Sequence, residues 1–275
     1  MSNQTKIENF STTSIRTIAL SKKVNLLELL PNVKSQEIFT WVRNNQGLVA
    51  WGVKTKEEFI GKERFSRAHR WWKDFVDNCA IRDEVQTLGS GAISFVSFSY
   101  EIEDSSVVVV PQIIVGQNAE STWLTIIGNL NIEEIKNQVL NYKTEVKVPQ
   151  NLTWSDGTLS ISEWQKSVSK AVQRINNKEL DKVVLTRDLN ASSDDKIDIR
   201  HVLQNLSDSF PECWTFSVDT LIGATPELLI RRTSDQVLSR VLAGTIKRDD
   251  NINDKQLSET LLQGGKDLDE HEFAV

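Results

Sequence analysis

Four short segments carry side chains that could do chemistry on a small polar substrate. Residues 222–231 read Ile-Gly-Ala-Thr-Pro-Glu-Leu-Leu-Ile-Arg and place Glu227 after a proline and before an apolar run. Pro226 fixes one backbone dihedral and Gly223 permits a tight turn, so this carboxylate is expected to be held rigidly. A partly desolvated glutamate has a raised pKa and can serve as a general acid near neutral pH. Lys182 opens the run Lys-Val-Val-Leu-Thr-Arg. A lysine directed inward among apolar strand residues is costly when charged; burial lowers its pKa, and the neutral amine can take a proton from water. Residues 242–245 read Leu-Ala-Gly-Thr. Beside Ala243, Gly244 lets a ligand approach the backbone and Thr245 supplies a hydroxyl. Glu270 lies in Lys-Asp-Leu-Asp-Glu-His, residues 266–271. Its hard oxygens suit magnesium, which keeps several waters and needs few carboxylates.

Each segment also has a plainer reading. A glutamate after proline is commonly a solvated turn residue, and a lysine at a strand start commonly reaches solvent. Gly-Thr is commonly a turn between strands, and a run of acids on a helix is commonly a solvated face. Residue types and spacing alone leave both readings open. The aromatic residues, Trp71 and Trp72 among them, recur at helical or strand spacing and read as core.

Taken in order, the segments resemble the chorismate-binding enzymes, a family that holds isochorismate synthase, salicylate synthase and the large subunits of anthranilate and aminodeoxychorismate synthase. The resemblance is strongest to the isochorismate synthases. Gly223–Arg231 resembles the family's Gly-Ala-(Ser/Thr)-Pro-Glu signature, which implies that Glu227 protonates the leaving 4-hydroxyl of chorismate. Lys182 matches the lysine that activates water in isochorismate and salicylate synthases and that ammonia-using relatives usually lack. Ala243, Gly244 and Thr245 match the turn on which the substrate lies, and Leu242 is the residue type of the isochorismate synthases. Arg248-Asp249 departs from the family's Arg-Gly. Glu270 matches a ligand of the Mg2+ that holds the ring carboxylate; Asp267 and Asp269 do not match the ligand position.

The implied reaction is conversion of chorismate to isochorismate: Lys182 deprotonates a water that attacks C2, the double bonds shift, and Glu227 protonates the departing 4-hydroxyl. The alternatives are salicylate synthase, an anthranilate-type synthase subunit, or a non-catalytic fragment of the family. The resemblance also implies residues beyond Val275: a second metal-binding glutamate, a tyrosine and an arginine for the substrate carboxylates, and a Gly-rich segment. We therefore expect the C-terminal part of the fold to be missing from these 275 residues, and activity to be poor.

The elements that must position these residues are mixed. Short β-branched runs at 15–20, 39–43, 48–53, 92–100, 107–115 and 123–127 read as strands, with a hairpin signal at Asn44-Asn45-Gln46-Gly47 and an edge or bulge at Pro111. Apolar spacing predicts helices over 64–81 and 132–146. A connection at 147–157 precedes the capping box Ser160-Ile161-Ser162-Glu163 and its helix. A strand is expected at 182–185, a helix at 199–206, strands at 214–218, 221–223, 228–231 and 237–242, and a helix over 254–275 weakened at Gly264-Gly265. The order predicts an α+β fold of large mixed or antiparallel sheet layers flanked by helices. The expected divisions are 1–13 as a flexible N-terminus, 14–150 as a β-rich half, and 151–275 as the start of the chorismate-binding domain.

Composition bounds the partners. With 39% hydrophobic and 25% charged residues the chain can bury a real core. A net charge of −6 argues against nucleic acid, and the apolar runs are too short to span a bilayer. Cys79 and Cys213 lie far apart, which fits reduced thiols in a cytoplasmic protein, and three scattered histidines argue against zinc. Chorismate is the expected partner, and the expected state is a monomer or weak homodimer.

Overall fold

The computed structural model describes residues 12–141, 144–240, 246–247, 252–264, 268 and 272. The chain divides into two compact units, residues 1–143 with 203–275, and residues 144–202. The first stretch forms β1 (Thr13–Leu20), β2 (Ile38–Arg43), β3 (Gln46–Phe59), α1 (Arg64–Asp77), β4 (Cys79–Asp83), β5 (Phe95–Ser97), β6 (Ser106–Gln117), β7 (Thr122–Ile127) and α2 (Ile132–Asn141). Residues 144–202 form β8 (Thr153–Asp156), α3 (Ile161–Asn176), β9 (Leu189–Ser192) and the start of α4 (Ile199–Ser209). The return stretch forms β10 (Trp214–Val218), β11 (Leu221–Thr225), β12 (Leu228–Thr233), β13 (Gln236–Arg240) and α5 (Asp254–Gln263).

In the first unit, strands run in the order β11-β10-β2-β3-β6-β7-β1-β4, with β5 beside β6. Only β1 and β4 pair in parallel among these neighbours. The mixed sheet with flanking helices is the α+β architecture expected. The β2–β3 hairpin turns on Asn44 and Asn45, both at positive φ, which a two-residue turn needs if it is to match the twist of its strands. Pro111 stands inside β6, where a register shift in β3 falls between Val53 and Thr55. There β6 also changes neighbour, from β5 at Val107–Val109 to β7 at Ile113–Gln117. A residue with no N–H is tolerated at such a break, so this is a bulge and not an edge.

Nearly every residue of β6 and all of β7 are buried, which is why both are mostly apolar on both faces. On one sheet face Phe75 of α1 packs in a cluster with Ile15, Phe39, Ala50, Ile114, Ile127 and Val218. On the other, α2 and Leu29 line a small cleft with Trp51. The expected helix over 64–81 ends earlier, at Asp77. Asn78 caps it with its N–H on the carbonyls of Phe75 and Val76, and residues 79–83 instead join the free side of β1. Similarly, 92–100 yields a strand only at Phe95–Ser97, the part that pairs with β6. Trp123 is 1% exposed, lies across Gly116 and donates its indole N–H to the Gly89 carbonyl. A Cβ at Gly116 would fall 2.1 Å from its ring.

In the second unit, β8 and β9 pair with each other and, among the described residues, with no other strand. The capping box forms as expected: Ser160 Oγ accepts from the Glu163 N–H, and Glu163 Oε2 from the Ser160 N–H. No strand forms at 182–185; among the described residues no strand offers it a ladder, and Val184 is 78% exposed. Arg200 is buried and pairs with Asp198 at 2.6 Å while also donating to the Glu145 carbonyl. Burial opposes the charge on Asp198, but the Arg200 guanidinium and the N–H groups of Lys147 and Arg200 outweigh it and hold the carboxyl below its ordinary 3.8.

Two outcomes follow. Gly116→Ala should lower the unfolding free energy by about 1–3 kcal/mol through overpacking against Trp123, read by urea denaturation. Asp198→Asn should cost about 3 kcal/mol by removing the carboxylate charge that faces the buried Arg200. Because the folded pKa of Asp198 is depressed, the pair's stabilisation is present above 3.8 and is lost as pH falls through the lower folded value. The Asn variant should therefore show a smaller loss of stability than the unsubstituted chain over that acidic window.

Candidate functional site

Glu227 occupies the two-residue connection Pro226-Glu227, where the chain leaves β11 in the large sheet and enters β12 in a separate two-stranded sheet with β13. Its backbone N–H donates to Thr225 Oγ1 at 3.2 Å, so the threonine of Gly-Ala-Thr-Pro-Glu fixes the backbone that bears the carboxylate. The sequence suggested a desolvated acid; the carboxylate is exposed. Gly223 also differs from expectation. It sits in the middle of β11, not in a turn, and a Cβ there would come within 2.7 Å of Phe216 Cζ. Its missing side chain makes room for an aromatic ring on the neighbouring strand.

The hairpin that presents Glu227 is held at both ends. At its turn, Asp219 takes a positive φ and pairs with Lys56 at 3.0 Å. Burial alone would lower the Lys56 ammonium, but Asp219 and then Glu58 raise its pKa. At its other end, Arg43 donates to Glu212 at 2.9 Å; Arg43 first, then Asn44, holds the Glu212 carboxyl below its ordinary 4.5. Between these ends runs a row of rings. Trp214 stacks on Trp41 at 5.3 Å, Trp41 lies 6.2 Å from Phe216, and the Arg43 guanidinium sits 6.0 Å from the Trp214 ring. Sequence reasoning gave these rings no role. The available signal was the register: a two-residue turn at Asp219-Thr220 sets Phe216 opposite Gly223 and Trp214 opposite Thr225. A recess of about 230 Å³ lined by Glu58, Ser97, Ser105 and Asp219 lies at the turn end of this hairpin, the opposite end of β11 from Glu227.

Lys182 belongs to the second unit and Glu227 to the first. Lys182 is exposed, in irregular chain, so the buried strand lysine expected from its apolar neighbours is not what forms. Ladder pairing, not β-branched content, is what makes a strand, and among the described residues none is formed there. In the same unit the indole N–H of Trp164 on α3 donates to the Thr186 carbonyl, which ties the segment after Lys182 to the helix. Ala243, Gly244, Thr245 and Glu270 lie outside the described residues. Among the described residues, no three His, Cys, Asp or Glu side chains cluster so as to hold a metal ion. None of the helices described is long and apolar enough to cross a membrane.

The chain is 32% identical over 181 residues to isochorismate synthase MenF of Bacillus subtilis, covering 60% of this chain and 38% of that protein. It is 34% identical over 121 residues to isochorismate synthase DhbC of the same organism, covering 40% of this chain and 30% of the relative. The solved structure of the menaquinone-specific isochorismate synthase MenF from Escherichia coli superposes with a TM-score of 0.64 at 18% identity, a likeness of fold, over 95% of this chain and 62% of that one. The chain thus spans less than two fifths of either curated relative's length, and 62% of the solved chain. The family model for chorismate binding enzymes matches residues 3–275. With that match running through nearly all of its residues, the protein belongs to the chorismate-binding enzyme family.

Proposed function

We propose that this protein acts as an isochorismate synthase. The observation that carries the reading is the placement of Glu227: a carboxylate open to solvent at the end of β11, on a backbone held by Thr225, within the Gly-Ala-Thr-Pro-Glu stretch. The relatives named isochorismate synthases, and Lys182 at the head of Lys-Val-Val-Leu, support water as the nucleophile. In the proposed reaction Lys182 takes a proton from water as the oxygen bonds to C2 of chorismate. The ring double bonds shift, the C4–O bond breaks, and Glu227 gives its proton to the departing hydroxyl, which leaves as water. One water enters and one leaves, so the product is an isomer. Such acid and base roles are each worth about 10²–10⁴-fold in rate. Ala243, Gly244 and Thr245 are proposed to bed the substrate.

Magnesium belongs to the same proposal through Glu270. A single carboxylate with waters is a plausible donor set for this hard cation. The ion would neutralise the ring carboxylate of the substrate.

The test is chorismate turnover with magnesium, followed by product chromatography, on the protein made from its full reading frame and on residues 1–275 alone. Isochorismate should form, and Lys182→Ala and Glu227→Gln should each lower kcat by about 10²-fold or more. Salicylate with pyruvate would assign the protein to salicylate synthases instead, and untouched chorismate would remove the catalytic reading. Chelation of magnesium should abolish turnover, and added Mg2+ should restore it; turnover indifferent to the chelator would remove the metal from the proposal.

A further inference from the structure

Gly223 and Phe216 fit each other as a cleft and a wedge. They face each other across β10 and β11, and the phenyl ring occupies the space in which any side chain at residue 223 would begin, with Cζ at 2.7 Å and Cε1 at 3.0 Å from an ideal Cβ. The ring is not loose. Trp41 on β2 lies against it at 6.2 Å, Trp214 stacks on Trp41 at 5.3 Å, and Arg43, tied to Glu212, closes the row over Trp214. An aromatic laid over a cross-strand glycine compensates the packing that glycine lacks and fixes the register of the pair. Four residues beyond Gly223 the same backbone bears Glu227. Between them, Thr225 pairs with Trp214 in the ladder and accepts the Glu227 N–H on its hydroxyl. A shift of β11 against β10 would carry Thr225 and Glu227 with it.

We propose that Phe216, seated on Gly223 and backed by Trp41 and Trp214, is a positioning residue that sets where the Glu227 carboxylate stands. The inference rests on the proposed role of Glu227 as the acid of the reaction. It gives the glycine of Gly-Ala-Thr-Pro-Glu a task other than chain flexibility: it is the socket of a ring on the neighbouring strand. The device is sensitive because misplacing a catalytic group by about 1 Å can cost on the order of 10²-fold in rate.

Size complementarity provides the test. Gly223→Ala, Phe216→Leu and the double variant are made in the protein from its full reading frame. For each, kcat and KM for chorismate are measured, together with thermal stability and amide hydrogen exchange at Glu227. Gly223→Ala should lower kcat by roughly 10- to 100-fold while KM stays within about threefold, and should speed exchange at the Glu227 amide. Adding Phe216→Leu, which removes ring atoms from the socket, should recover kcat to within about threefold of Phe216→Leu alone and restore protection. A merely structural pair would move thermal stability without this split between kcat and KM and without rescue. The role is overturned if Gly223→Ala retains kcat in an active protein, or if the double variant is no better than Gly223→Ala. Unsubstituted protein that leaves chorismate untouched overturns the acid role of Glu227, and the positioning role falls with it. Exchange at the Glu227 amide then still reports whether the socket holds that backbone.

Discussion

The seam between β2 and β10 is the constraint on which the candidate site depends. It joins strands far apart in the chain: Thr40 on β2 and Thr215 on β10 are 175 residues apart, and the Thr40 hydroxyl donates to the Thr215 carbonyl. Ser217 donates its hydroxyl to the Ile38 carbonyl at 3.0 Å. Thr40, Thr215 and Ser217 are fully buried on one face of this seam, while Phe39 and Val218 enter the core cluster on the other. The bonded hydroxyls of Thr40 and Ser217 commit the seam to one register, since a slip would strand them without partners in the interior. Among the described residues β11 has no sheet neighbour other than β10. The strand leading to Glu227 is therefore placed by β10, and β10 by β2.

Much of this architecture is legible in the amino-acid pattern, because two-sided burial and turn chemistry leave strong traces. Val107–Val110 is apolar without a break, and Trp123–Ile127 is broken only by Thr125, because both faces of those strands are covered. Asn44-Asn45 announces its hairpin, and Ser160 with Glu163 announces α3. The misread segments are those where long-range pairing decides. Residues 79–81 continue the apolar spacing of α1, yet the open side of β1 draws them into β4. Lys-Val-Val-Leu at 182–185 has the composition of a strand, and among the described residues no strand lies beside it in a ladder. At the candidate site the sequence placed Glu227 just before a strand, where β12 begins, but misjudged Gly223. A glycine's role as a socket is invisible until the cross-strand register puts Phe216 over it.

The exposure of the proposed acid and base says something about when they are competent. Catalytic groups are commonly tuned by burial. Glu227 stands in the open, and Lys182 lies beside Val183 and Val184, at 41% and 78% exposure. No residue of α3 is buried either. A bound ligand that expels water would change the surroundings of such groups more than it would those of groups already enclosed. On the proposed function, binding and activation of the acid would then be the same event.

The distance along the chain between β2 and β10 also sets an order of events at the ribosome. At about 5–20 residues per second, roughly ten to thirty seconds pass between the emergence of Arg43 and that of Trp214. Throughout that interval the β2 edge, with Trp41 on it, has no strand to pair with, and an unpaired edge is a template for misassociation. The hairpin that ends this exposure is the one that delivers Glu227. Nascent chains stalled before it keep that edge open, and a chain that has acquired its acid has, by the same step, covered the β2 edge.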